Sequence, residues 1–140
     1  MRYVLTFDPG LTTGWAILDY DGMIVQCGNL LEETVLEKNF LRDMVDRLAR
    51  EYNIAEVIVE EMPPGSPGDR SRRLEAVRQK LTTATGLFQV RYVNPSTWKT
   101  SRGVLTAPRF DRWDDAPVTQ HQRDAVGIAR WWLNVREDQA

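Results

Sequence analysis

The sequence predicts an α/β domain: a mixed five-stranded sheet, three antiparallel strands and then two parallel ones, flanked by helices. Three observations lead there. Short apolar, β-branched runs crowd the amino-terminal end around an Asp-Gly turn signal. Two further strand-like runs, Ile54 to Glu61 and Leu87 to Val93, each follow a stretch with helical character. A third such stretch closes the chain, giving the order β-β-β-α-β-α-β-α.

Tyr3 to Phe7 is the first strand, an apolar run of the kind buried mid-sheet. Asp8 stands where the run stops. Pro9 removes a backbone donor and Gly10 permits a positive φ, so the chain turns and leaves the carboxylate at the strand's carboxyl end. Open α/β sheets place their ligands at that edge. Trp15 to Leu18 is the second strand, Tyr20-Asp21-Gly22-Met23 the hairpin, and Ile24 to Cys27 the third strand.

Glu32 to Tyr52 carries Val35, Leu36, Phe40, Leu41, Met44, Val45 and Leu48 at helical spacing, which predicts one amphipathic helix. The fourth strand, centred on Val57-Ile58-Val59, returns after this crossover parallel to the first. Its carboxyl end therefore lies beside Asp8, and Glu60 with it. Met62 to Asp69, with three prolines and two glycines, is a loop. Arg70 to Thr85 is a basic helix stopped by Gly86, and Leu87 to Val93 the fifth strand. Asn94-Pro95-Ser96-Thr97-Trp98-Lys99 follows, with Ser96 able to cap a short turn. From Gly103 to Val118 prolines and aspartates predict an irregular connection. The last helix runs from about Thr119 to Val135; Ala125, Ile128, Ala129 and Trp132 form its apolar stripe, with His121 and Asp124 on nearly the same side.

Length and composition set the bounds. The 140 residues suit one domain with a real core. At 42% hydrophobic and 27% charged they read as a globular protein. No apolar run approaches the roughly 20 residues that span a bilayer, and none has the form of a signal peptide, so the expected location is the cytoplasm. Cys27, the one cysteine, fits a reducing compartment, and a single histidine excludes a Cys/His zinc site.

The net charge of −2 hides a strong asymmetry. Between Arg70 and Arg102 lie eight bases (Arg70, Arg72, Arg73, Arg78, Lys80, Arg91, Lys99, Arg102) and one acid, Glu75, leaving the segment at +7 and the rest at −9. Such a segment offers phosphates a local surface, or is a solvated helix face. Several residues stay open in the same way. Asp8 fits a turn former as well as a ligand, Glu60 and Glu61 a solvated strand end, and His121 a helix cap. Period-2 alternation turns only one of Glu60 and Glu61 towards the site. Trp131 and Trp132 read as core and dimer packing, whereas Trp98 and Trp113 fit either core or nucleic-acid stacking. Asp124 beside an apolar stripe is harder to explain structurally, because an unpaired carboxylate there is costly.

Phe7-Asp8-Pro9-Gly10 with Thr13-Gly14-Trp15, Val57-Ile58-Val59-Glu60, Asn94-Pro95 to Trp98-Lys99, and His121-Gln122-Arg123-Asp124-Ala125 occur in an order and spacing that cover most of the chain. This ordered set resembles the RuvC family of Holliday junction resolvases, in the RNase H-like superfamily, and its compact phage-encoded branch in particular. The resemblance implies a single RNase H-like nuclease domain over residues 1–140, located in the bacterial host cytoplasm if phage-encoded. It implies metal ligation by Asp8, Glu60, His121 and Asp124, with Glu61 as an alternate, and a phosphate-polarising role for Lys99. Together with the alternation, it favours Glu60 over Glu61 as the one facing the site. Arg109 is the nearest stand-in for the family's second lysine, and Met62-Pro63-Pro64 stands where family members tend to carry an aromatic wedge. Arg70, Arg72, Arg73, Arg78, Lys80, Lys99, Arg102 and Arg109 would form the DNA-binding surface.

The chemistry fits these residue types. Two Mg²⁺ ions about 4 Å apart can generate the nucleophile, neutralise the phosphate and stabilise the leaving oxygen, and hard cations take carboxylate oxygens. A histidine ligand leans towards Mn²⁺. The expected substrate is branched DNA, a four-way junction above all, or flaps and forks, cut by a homodimer that uses no nucleotide cofactor. Two other classes compete: a non-catalytic branched-DNA binder and a fragment of an actin-like ATPase. The latter needs a second phosphate loop, for which the chain has no room.

Overall fold

A computed structural model describes residues 1–61, 68–95, 98 and 111–138. The main sheet has the strand order β3-β2-β1-β4-β5. Strand β1 (Tyr3–Asp8) pairs antiparallel with β2 (Thr12–Asp19), and β2 antiparallel with β3 (Ile24–Leu31). Strand β4 (Ile54–Glu60) runs parallel to β1, and β5 (Val90–Val93) parallel to β4. The mixed five-stranded sheet is thus the expected one.

Alternation along β1 and β4 divides the core in two. Leu5, Phe7, Val57 and Val59 face one side, with Val35, Leu41, Met44, Val45, Leu48, Val77 and Leu81 from the three helices packed there. Val4 and Ile58 face the other, against Ala125, Val126, Ile128, Ala129, Trp132 and Leu133 of the carboxyl-terminal helix. That helix, α4 (Gln120–Asp138), covers this face, with Trp98 and Trp113 packed into the same cluster.

Several boundaries differ from the sequence reading. The predicted helix over Glu32 to Tyr52 is two helices, α1 (Glu32–Leu36) and α2 (Phe40–Glu51). Asn39 breaks it at φ 69°, a left-handed conformation that asparagine tolerates, while the leucine spacing continues across the break. Strands β2 and β3 reach Thr12 and Leu31, beyond their apolar centres, because each pairs over its whole length. The predicted fifth strand begins at Val90, not Leu87; Leu87 is 93% exposed in the turn after α3 (Asp69–Ala84). Within the stretch expected to be irregular, Arg112–Trp113 (β6) and Ala116–Pro117 (β7) form a small hairpin. Asp114 and Asp115 turn it with φ 52° and 61°, the positive values a tight hairpin needs, supplied without the usual glycine. At β2–β3, Gly22 takes φ 88°, and the Asp19 carboxylate accepts from the Asp21 and Met23 amides at 2.9 and 3.0 Å.

The seating of α4 matters most for the site. Its first turn is closed reciprocally: the Gln122 amide donates to Thr119 Oγ1 at 3.2 Å and the Thr119 amide to Gln122 Oε1 at 3.0 Å. Asn29 on β3 joins this box, donating to Gln122 Oε1 at 2.8 Å and accepting from Thr119 Oγ1 at 2.6 Å. Further along, Thr6 Oγ1 donates to the Ala125 carbonyl at 2.6 Å, and the Trp132 indole to Glu56 Oε2 on β4 at 2.6 Å. The Arg91 guanidinium lies over the Trp132 ring, 4.6 Å from its centre. Trp132 is therefore core, as its place in the apolar stripe predicts. Among the described residues no helix is long and apolar enough to cross a membrane.

Candidate active site

The site forms where β1 and β4 end side by side. Their last register pair is Phe7 with Val59, so Asp8 and Glu60 come next on strands about 4.8 Å apart. Even-numbered residues of both strands face α4, which puts the side chains of Asp8 and Glu60 on the helix side with Thr6 and Ile58. Both are buried, 6% and 9% exposed. A buried carboxylate needs compensation.

From the helix His121 approaches Asp8, with Nδ1 3.5 Å from Asp8 Oδ2. The imidazole hangs over the Asp-Pro-Gly turn: a Cβ added to Gly10 would lie 3.9 Å from His121 Cε1. Two ligand atoms held at about 2.1 Å from one cation, at right angles to each other, stand about 3 Å apart. The Asp8–His121 pair is close to that spacing.

Glu60 is met by the indole of Trp98, whose Nε1 donates to Glu60 Oε2 at 2.7 Å. Asp124 lies one turn along α4 from His121, half-buried, and accepts from Gln120 Nε2 at 2.7 Å. Asp8 and His121 are thus together and Glu60 shares their face. Among the described residues, no three His, Cys, Asp or Glu side chains are gathered closely enough to hold one metal ion. The donor set of carboxylates and one imidazole suits a hard or borderline divalent cation, so the residues fit such an ion in chemistry and the Asp8–His121 pair fits in spacing.

Glu61 is exposed beyond the strand end, its amide donating to the Val93 carbonyl at 2.8 Å. With Pro9, Val59, Glu60, Arg78, Leu81, Thr82 and Tyr92 it lines a cavity of about 390 Å³ beside α3. Lys99, Arg102 and Arg109 lie outside the described residues, as do Ser96 and Met62-Pro63-Pro64.

The basic helix α3 is less free than its composition predicts. Arg73 reaches back to Glu32 at 2.8 Å, and Arg78 forms a close bidentate pair with Glu75, three residues away. These carboxylates raise both guanidinium pKa values, and Arg78 in turn lowers that of Glu75. Arg72 stands 3.9 Å from Asp69, both well exposed. Arg70 and Lys80 have no ion pair among the described residues. On α4, burial lowers the Arg130 pKa, and at Cys27 burial pushes the thiol up against the smaller opposing effect of the Gln122 hydrogen bond.

No family model and no curated protein matches the sequence. Solved structures do match. A Thermus thermophilus RuvC bound to a Holliday junction substrate superposes with a TM-score of 0.71 at 16% identity, covering 98% of this chain and 96% of that one. The chain has a RuvC-like fold. A second Thermus thermophilus RuvC structure agrees, with a TM-score of 0.69, 15% identity, and 97% and 96% coverage.

Two features of this edge escaped the sequence reading. Gly14 pairs with Asp8 across β1 and β2, and a Cβ there would meet the His121 carbonyl oxygen at 2.1 Å. The Trp98 indole, left open between core and nucleic-acid stacking, is only 2% exposed and belongs to the α4-side core.

Proposed function

We propose that this chain is a divalent-cation-dependent endonuclease of branched DNA, and specifically a Holliday junction resolvase that makes paired, symmetric nicks. The observation that carries this reading is the convergence of buried Asp8 and Glu60 on the α4 face of two adjacent strand ends, with His121 3.5 Å from Asp8, in a RuvC-like frame. One of the structures sharing that frame is a RuvC holding a Holliday junction.

In this reading Asp8, Glu60, His121 and Asp124 would hold Mg²⁺ or Mn²⁺, which when bound would supply Lewis-acid chemistry, activating a water and neutralising phosphate charge. Asp8 provides an oxygen fixed by the strand end and the Pro-Gly turn, so little conformational freedom is lost on binding. His121 would provide its Nδ1 from the first turn of α4, 3.5 Å from Asp8. Lys99 places a positive charge against a phosphate oxygen. Arg70 and Lys80, with Lys99, Arg102 and Arg109, hold backbone phosphates without reading sequence. Two opposed nicks need two copies related by a two-fold axis, hence a homodimer.

Labelled four-way, three-way, flap and duplex DNA incubated with Mg²⁺, Mn²⁺ or EDTA tests the reading. Paired symmetric cuts confined to the four-way substrate, abolished by EDTA, support a resolvase. Equal cutting of flaps and forks replaces it with a broader debranching nuclease, and metal-independent binding without cleavage refutes catalysis.

A further inference from the structure

We infer that Trp98 is a positioning residue for Glu60, fixing one carboxylate oxygen and with it the direction of a group that would ligate a divalent cation. The inference rests on the reading of the site as a cation-dependent nuclease. Three segments distant in sequence meet here. Glu60 closes β4, Trp98 follows β5, and Gly127 lies on α4, the helix that carries His121 and Asp124. The Nε1–H of Trp98 donates to Glu60 Oε2 at 2.7 Å with the ring 2% exposed. The ring lies against the helix at Gly127, where an added Cβ would stand 2.7 Å from Cζ3 and 3.3 Å from Cη2. Glycine at 127 thus leaves the notch in which the indole sits.

Packing alone does not explain this arrangement. Any large apolar side chain fills a notch, but a buried carboxylate needs a hydrogen-bond donor. Lysine or arginine would satisfy Glu60 and cancel its charge, weakening its attraction for a cation. A hydroxyl would satisfy it from a rotor with no fixed direction. The indole N–H is neutral, donates only, and is fixed by the ring plane. It therefore orients Glu60 without adding a charge of its own. Partners of this kind, one step removed from the metal, typically change metal affinity by about 10–100-fold.

Mn²⁺ titration followed by electron paramagnetic resonance of the free ion, on the full chain and on Trp98→Phe, tests the inference. Phenylalanine keeps an aromatic ring in the notch and removes the donor. Mn²⁺ affinity should fall by about 10–100-fold in the variant. Four-way junction cleavage should lose turnover at low Mg²⁺ and regain it at high Mg²⁺, with KM for the junction unchanged. Unaltered Mn²⁺ affinity and Mg²⁺ dependence in the folded variant would overturn the inference, even if its melting temperature fell. Should Trp98→Phe not fold, benzothienylalanine at position 98, which replaces only the N–H by sulfur, must give the same loss. Wild-type protein that binds no Mn²⁺ overturns both this inference and the nuclease reading; wild-type binding and cleavage matched by the variants overturns this inference alone.

Discussion

Gly14 and His121 touch through their backbones: the space a Cβ at Gly14 would fill is taken by the His121 carbonyl, 2.1 Å from the Cβ position, and by the Gln122 amide nitrogen at 2.9 Å. Because Gly14 is the register partner of Asp8, this contact sets the height of the α4 amino terminus above the β1 carboxylate. Gly14→Ala should push the helix off the sheet, destabilising the fold by about 1–3 kcal/mol as overpacking does. Urea unfolding measures the loss, and cleavage should fall beyond it because His121 moves from Asp8.

The reciprocal cap of α4 yields a second expectation. Thr119→Ala removes the acceptor for the Gln122 amide and the donor to Asn29. A loss of about 1 kcal/mol is expected from the cap. Equilibrium unfolding of Thr119→Ala, Asn29→Ala and the double variant should show non-additive losses, since both residues serve one network.

Cys27 makes stability pH-dependent on the alkaline side. Its folded pKa is raised above the ordinary 9.0, chiefly by burial. The unfolded thiol ionises first, so stability is fully present below pH 9.0 and is lost as pH rises through that value towards the folded pKa. Denaturation midpoints from pH 8 upward should therefore decline more steeply in wild type than in Cys27→Ala. A thiol reagent at neutral pH should label the native protein only slowly.

The charges of α3 should separate by their partners. Arg73 is engaged by Glu32, whereas Arg70 and Lys80 have no ion pair among the described residues. Arg70→Ala and Lys80→Ala should each reduce the log–log salt slope of junction binding by about 1. Arg73→Ala should leave that slope nearly unchanged and lower stability instead. Equal slope changes in all three would show the ion pair to be irrelevant to DNA binding.

Much of this molecule was written locally. Asp8 could be placed at a strand end from Pro9-Gly10, because that depends on a few neighbouring residues, whereas Glu60 was preferred to Glu61 by alternation together with the RuvC resemblance. What stayed hidden depends on partners far along the chain. Nothing near Gly14 announces His121, and nothing near Trp98 announces Glu60. The break at Asn39 was masked by leucine spacing that continues through it, and Leu87 read as strand although it projects into solvent. The Arg78–Glu75 pair stands at a spacing the sequence displays, while the Arg73–Glu32 pair needs the fold to be seen.

Asp8→Asn tests the general claim of a shared cation site: it removes one charge and little volume, so the fold and junction binding should survive while cleavage falls to background in Mg²⁺ and Mn²⁺. Activity alone does not locate an ion, and anomalous scattering from a Mn²⁺-soaked crystal does. Density beside Asp8 Oδ2 and His121 Nδ1, with Glu60 among the coordinating groups, is the predicted result. A crystal of cleavage-competent protein saturated with Mn²⁺ that shows no density at this edge would contradict it.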